Sequence, residues 1–153
     1  MALLSQIYSL DNPVFTAYIF YTSILLLKML FMVFVIGSQR FKKGVNFISE
    51  EDKALHPKAK IRHDDPDIER CRRAHQNDLE NIPAFILAGA LYQLTSPSAW
   101  LAIQLFRFGT IARIVHTFVY AIVVIPQPTR AIAFFVSFAI TVYMLVQTIL
   151  YVL

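Results

Sequence analysis

The sequence predicts an all-α integral membrane protein built as a four-transmembrane-helix bundle, and three observations predict it. The 153 residues are 57% hydrophobic and only 16% charged, too apolar for one water-soluble domain of this size. The apolar residues gather into runs suited to a ~30 Å hydrocarbon layer, which takes roughly 20 helical residues to cross. The cations are segregated: of the 14 Lys and Arg, all but Lys28, Arg107, Arg113 and Arg130 fall between Arg40 and Arg73.

The first span is expected at 13–38, with Lys28 as its only charge and Asp11 or Asn12 as N-cap ahead of Pro13. Met1–Asn12 carries no basic n-region, so the first apolar run reads as a retained helix. A polar, basic loop follows at 39–64, with Gly44 and Pro57 as breakers. The second helix, 66–94, opens on Asp65-Pro66-Asp67, a capping carboxylate before proline, with Asp67 and Glu69 at the positive end of the helix dipole. Its first turns are charged, its later part is apolar but short, and Pro83 lies inside it. The polar turn Thr95-Ser96-Pro97-Ser98 leads to the third span at 99–125. Pro126-Gln127-Pro128-Thr129 then leads to the fourth at 129–152. Residues 1–153 thus read as a single membrane domain. The positive-inside rule places the basic loop in the cytosol and both termini across the membrane.

The net charge of +4 is local to the basic stretch. It suits a membrane face, and with no aromatic-basic module present no nucleic acid partner is expected. Cys71 is the only cysteine, which excludes an internal disulfide and any Cys-based metal cluster. No metal site is expected.

Charges at membrane depth cost ~3 kcal/mol each on insertion scales, so they persist when paired, when facing a wet cavity or when functional. On the second helix Arg70, Arg73, Asn77 and Glu80 follow i, i+3, i+7, i+10 spacing, which aligns them on one stripe. On the third, Arg113, His116 and Tyr120 form another. Both stripes approach the cytosolic ends of their helices, where Arg130 opens the fourth helix and Arg40 leaves the first. Two readings stand for the stripe on the second helix. It is an interfacial salt-bridge network, or it is one wall of a pocket whose guanidiniums hold a ligand's carboxylates and whose Glu80 receives an ammonium. Tyr120, Phe134 and Phe135 would give that pocket an apolar side for a lipophilic second substrate. Lys28 is expected to pair with Asp78 or Glu80 as helix glue. Arg107 is expected to cap or snorkel on the opposite side, and Cys71 to be an inert thiol.

The segment from Glu69 to Asn81 (ERCRRAHQNDLEN), the run Ala112-Arg113-Ile114-Val115-His116-Thr117 with Tyr120, and Pro126-Gln127-Pro128-Thr129-Arg130-Ala131 resemble the membrane-associated proteins in eicosanoid and glutathione metabolism. The likeness runs from Lys28-Met29 to the fourth helix. It implies a homotrimer of four-helix subunits in the endoplasmic reticulum membrane, with the outer mitochondrial membrane as a second location. It implies glutathione as the cofactor, bound between subunits near the cytosolic face. Arg40, Arg73, Asn77, Glu80, His116 and Tyr120 match residues of the family's glutathione site, and the residue matching Arg113 lies beside them. Arg130 matches the arginine assigned to the thiolate, with Tyr120 a secondary donor.

The activity this implies is transfer of glutathione to a lipophilic electrophile, together with glutathione-dependent reduction of a lipid hydroperoxide. Two alternatives come from the same superfamily: isomerisation of prostaglandin endoperoxide, and a non-catalytic lipid-binding scaffold. In the isomerase branch a serine follows the catalytic arginine and a tyrosine stands farther along the helix, where this chain has Ala131 and Phe134. The family's mammalian transferase carries in this loop a cysteine whose modification activates it, and the corresponding Glu51-Asp52-Lys53 has none, so thiol-triggered activation is not expected.

Overall fold

A computed structural model of the chain describes residues 2–45, 62 and 64–153. Most of the loop expected at 39–64, including Pro57 and Glu51-Asp52-Lys53, lies outside the described residues. Among the described residues every regular element is helical: α1 (Ala2–Ile7), α2 (Pro13–Lys43), α3 (Pro66–Gln93), α4 (Ala99–Thr117) continued by a π turn (Phe118–Ile122), and α5 (Thr129–Val152). Three are long and apolar enough to cross a membrane: α2, α4 with its π turn, and α5.

Local chemistry sets the ends. The Asn12 side chain accepts from the Val14 amide at 2.9 Å with Pro13 in the first turn. The Asp65 carboxylate accepts from the amides of Asp67 and Ile68 at 3.0 and 3.2 Å, so orphan donors at both helix starts are met by side chains. α2 does not end at residue 38. It runs through Lys43, because nothing breaks it before Gly44, whose φ of 64° allows the Val45 amide to turn back onto the Arg40 carbonyl at 2.9 Å. Arg40, Lys42 and Lys43 sit in that last turn, at the negative end of the dipole. The third span likewise departs from a plain helix to residue 125. Its α-helical bonding stops at Thr117, and the Val123 amide reaches the Phe118 carbonyl at 2.8 Å across the wider π turn.

The four long helices pack in the order α2, α3, α5, α4 around the bundle, with α3 and α4 also meeting across the centre. That crossing is close because Gly109 of α4 has no side chain. A Cβ there would collide with the ring of Phe85, reaching 2.7 Å from its Cζ. One half of the core is apolar, built on Leu25, Ile82, Phe85, Phe106 and Met144. Tyr18 packs edge-on to Phe106 at 5.6 Å and donates to the Ile86 carbonyl at 3.1 Å. Toward the other end the core turns polar, around Asp78, Arg113 and Thr117.

Candidate active site

At that polar end α3, the π turn and α5 enclose a cavity of about 370 Å³, within the ~300–1,000 Å³ of small-ligand sites. Its α3 wall is Arg73, Gln76, Asn77 and Glu80; the far wall is His116, Tyr120, Gln127, Arg130, Ala131, Phe134 and Phe135. The α3 residues share a wall because their spacing keeps them on one helix face.

Arg130 is held by its neighbour's π system. Its guanidinium carbon lies 4.1 Å from the centroid of the Tyr120 ring, close enough for a cation–π contact. Tyr120 in turn meets His116 edge-on at 5.7 Å, and Phe134 tilts against the same imidazole at 6.4 Å. His116 is buried, its Nδ1 without a hydrogen-bond partner among the described residues. Gln127 accepts from the Ala131 amide at 3.2 Å and so tethers the turn to the start of α5. Across the cavity Gln76 donates to Glu80 at 3.2 Å, while Arg73 is exposed and has no carboxylate partner among the described residues. The cavity thus presents two guanidiniums, one carboxylate and an aromatic wall. Chemically, that set receives an anion through bidentate hydrogen bonds while leaving one place for a cation.

Of the residues singled out in the sequence, the structure brings Arg73, Asn77, Glu80, His116, Tyr120 and Arg130 around this one space. Arg113 does not line it. Its side chain is fully buried and its Nη2 donates to Asp78 at 2.6 Å and to Asn77 at 2.8 Å, so it stands behind the wall. Arg40 does not line it either, because it leaves α2, which sits diagonally across the bundle from α5. Arg70 pairs with Asp67 at 2.7 Å. Lys28 pairs with Asp78 rather than Glu80. Arg107 donates to the Tyr21 hydroxyl at 3.0 Å and to Gln104 at 3.3 Å, and the buried Cys71 thiol faces the Ala121 carbonyl at 3.7 Å. Sequence reasoning missed Gln76 and Gln127. The signal was present, since Gln76 falls three residues after Arg73 and four before Glu80, and Gln127 belongs to the turn carrying Arg130.

Fold and cavity together define a polytopic helical membrane protein with a cation-rich cavity at one end of its bundle. Comparison with known proteins narrows that class. The model of the MAPEG family matches residues 18–150, and the chain belongs to that family. It is 44% identical over 149 residues to a Bos taurus protein named microsomal glutathione S-transferase 1, covering 94% of this chain and 93% of that one. The Homo sapiens protein of that name is 41% identical over 140 residues, 88% of each chain. A Bos taurus prostaglandin E synthase is 32% identical over 125 residues, 82% of this chain and 80% of that one.

Proposed function

We propose that this chain is a membrane-bound glutathione transferase that conjugates the glutathione thiolate to lipophilic electrophiles and reduces lipid hydroperoxides with glutathione as reductant. The observation that carries the reading is the Arg130 guanidinium, fixed over Tyr120 and facing a cavity whose opposite wall holds Arg73 and Glu80. Glutathione has two carboxylates, one ammonium and one thiol, and the wall residues match this inventory. Arg73 and the amide of Asn77 suit carboxylate or carbonyl oxygens, Glu80 suits the ammonium, and Phe134 with Phe135 suits an apolar second substrate. Glutathione is consumed, which makes it a co-substrate.

A thiol ordinarily titrates near ~8.5, and each unit of lowering takes ~1.4 kcal/mol of preferential interaction with the anion. Arg130 supplies that interaction as a permanent cation in a partly desolvated wall. In transfer, the sulfur lone pair forms a carbon–sulfur bond as the leaving group departs with its electrons. In reduction, sulfur takes the terminal oxygen of the hydroperoxide and the alcohol is released. A second glutathione then gives the disulfide and water. Tyr120 is a secondary donor in this scheme.

The same reading makes α3 a fourth membrane span. The short Leu94–Ser98 connection turns α3 back alongside α4, which is itself long and apolar enough to cross. Arg73, Gln76 and Glu80 are exposed on α3, a costly arrangement at membrane depth. A homotrimer would cover that face with another copy, whose Arg40 would then approach the cavity. The basic loop faces the cytosol, and the endoplasmic reticulum is the expected location, with the outer mitochondrial membrane a second.

Incubating purified protein with glutathione and chlorodinitrobenzene tests the proposal. Thiol-dependent conjugation is expected, lowered about 10²–10³-fold by Arg130→Ala. No conjugation, or an Arg130→Ala variant equal to wild type, rejects it. Product analysis with prostaglandin endoperoxide separates the isomerase alternative, and a glutathione titration without heat would favour a non-catalytic scaffold.

A further inference from the structure

The carboxylate of Asp78 is fully buried and its two oxygens are shared among three partners on two other helices. Lys28 of α2 pairs with Oδ2, Thr117 of α4 donates to Oδ2 at 3.2 Å, and Arg113 of α4 donates to Oδ1 at 2.6 Å. Two cations thus meet one buried carboxylate. Arg113 alone would neutralise it, so Lys28 adds a charge that the interior does not require, and burying a charge is costly. Its presence calls for a reason other than charge balance.

The geometry of Arg113 supplies one. With Oδ2 occupied by Lys28 and Thr117, Arg113 engages Asp78 through a single nitrogen, and the same Nη2 extends to the side-chain oxygen of Asn77 at 2.8 Å. Its Nε and Nη1 are buried without a hydrogen-bond partner among the described residues. A guanidinium only donates, so the Asn77 atom it meets must be the amide oxygen. The Asn77 amide nitrogen is thereby left over, and Asn77 lines the cavity. If Oδ2 were vacated, Arg113 could take the two-nitrogen fork on Asp78 that guanidiniums favour, satisfying one of its idle N–H groups and releasing Asn77.

We propose that Lys28 is a positioning residue for the cavity's ligand, acting through Asp78 and Arg113 to hold Asn77 as a hydrogen-bond donor to a carboxylate or peptide carbonyl of glutathione. The proposal rests on the reading of the cavity as a glutathione site. It assigns Lys28 a role in binding, beyond joining α2 to α3.

A double-mutant cycle between Lys28 and Asn77, which share no contact among the described residues, tests it by glutathione calorimetry on the purified protein. Lys28→Met leaves a charge-balanced Asp78–Arg113 pair, so the fold is expected to persist. It should weaken glutathione binding about tenfold, as should Asn77→Ala, the size of one hydrogen bond to a charged partner. The double variant should be no weaker than either single one. Lys28→Arg, which keeps a cation on Oδ2, should restore most of the affinity. KM should rise for glutathione and stay unchanged for the electrophile. Wild-type affinity in Lys28→Met, or multiplying effects in the double variant, overturns the proposal. Should Lys28→Met fail to fold, Thr117→Val decides by vacating part of Oδ2. A severalfold loss of affinity absent in the Asn77→Ala background supports the proposal, and an unchanged affinity overturns it. Wild-type protein that binds no glutathione would instead sink the reading of the cavity itself, and this inference with it.

Discussion

Asp78 and Glu80 lie two residues apart on α3 and belong to opposite kinds of charge cluster. Asp78 is fully buried, with Lys28, Arg113 and Thr117 taking up its oxygens. Glu80 is exposed at the mouth of a cavity that also holds Arg73 and Arg130, and its one described hydrogen bond comes from Gln76. In the first cluster both cations pair with the one carboxylate inside the bundle, so the cluster joins α2, α3 and α4. In the second, Arg73 and Arg130 pair with no carboxylate among the described residues and the space between them is open, which suits the cluster to an anion. The same residue types therefore serve fold or ligand according to which face of α3 carries them.

The sharpest way to break this contrast is to remove the shared carboxylate. Asp78→Ala leaves two buried cations unpaired and should cost about 3–5 kcal/mol, read as a large fall in the melting temperature of detergent-solubilised protein. Arg130→Ala should do the reverse, leaving the melt nearly unchanged while conjugation falls by about 10²–10³-fold. If the two variants exchanged these signatures, the division between structural and ligand-binding charges would be wrong. Gly109→Ala drives a methyl group into Phe85 at the α3–α4 crossing. It should cost about 1–3 kcal/mol by overpacking, with glutathione affinity changed far less than by Lys28→Met.

The smallest effect lies at the polar end of α3, beyond its apolar stretch. There Lys43 and Arg70 donate to Asp67 and hold its carboxyl below the usual carboxylate range. A lowered folded-state value contributes stability that is present above the ordinary value of ~3.9 and is lost as pH falls through the lowered one. Acid titration of the melt should therefore show a slight decline at the acid end that Asp67→Asn removes.

The helices were legible because membrane spans are written in composition and length, and because Asn12, Pro13, Asp65 and Pro66 mark starts by local hydrogen bonding alone. The continuation of α2 to Lys43 was not, since a run of basic residues reads as loop until Gly44 is known to turn the chain back. The π turn at Phe118–Ile122 escaped for a related reason: a period of 3.6 assumes the bonding that this turn gives up. Most of the cavity's walls could be read from spacing. Arg113 could not, because a stripe of one helix says nothing of what faces it, and Asp78 on α3 takes that guanidinium out of reach of the cavity. Resemblance carried the rest, through motifs whose residues the structure divides between the cavity and the buried network behind it.

The central claim is that guanidinium groups around the cavity hold glutathione with its sulfur ionised. Its most direct test is the ultraviolet absorbance of the thiolate, followed while glutathione is titrated into the purified protein at pH values below the thiol's ordinary ~8.5. The account predicts a thiolate signal that saturates with binding and disappears in Arg130→Ala while glutathione still binds. Bound glutathione that stays protonated in wild type, or an equal thiolate signal without Arg130, would contradict it.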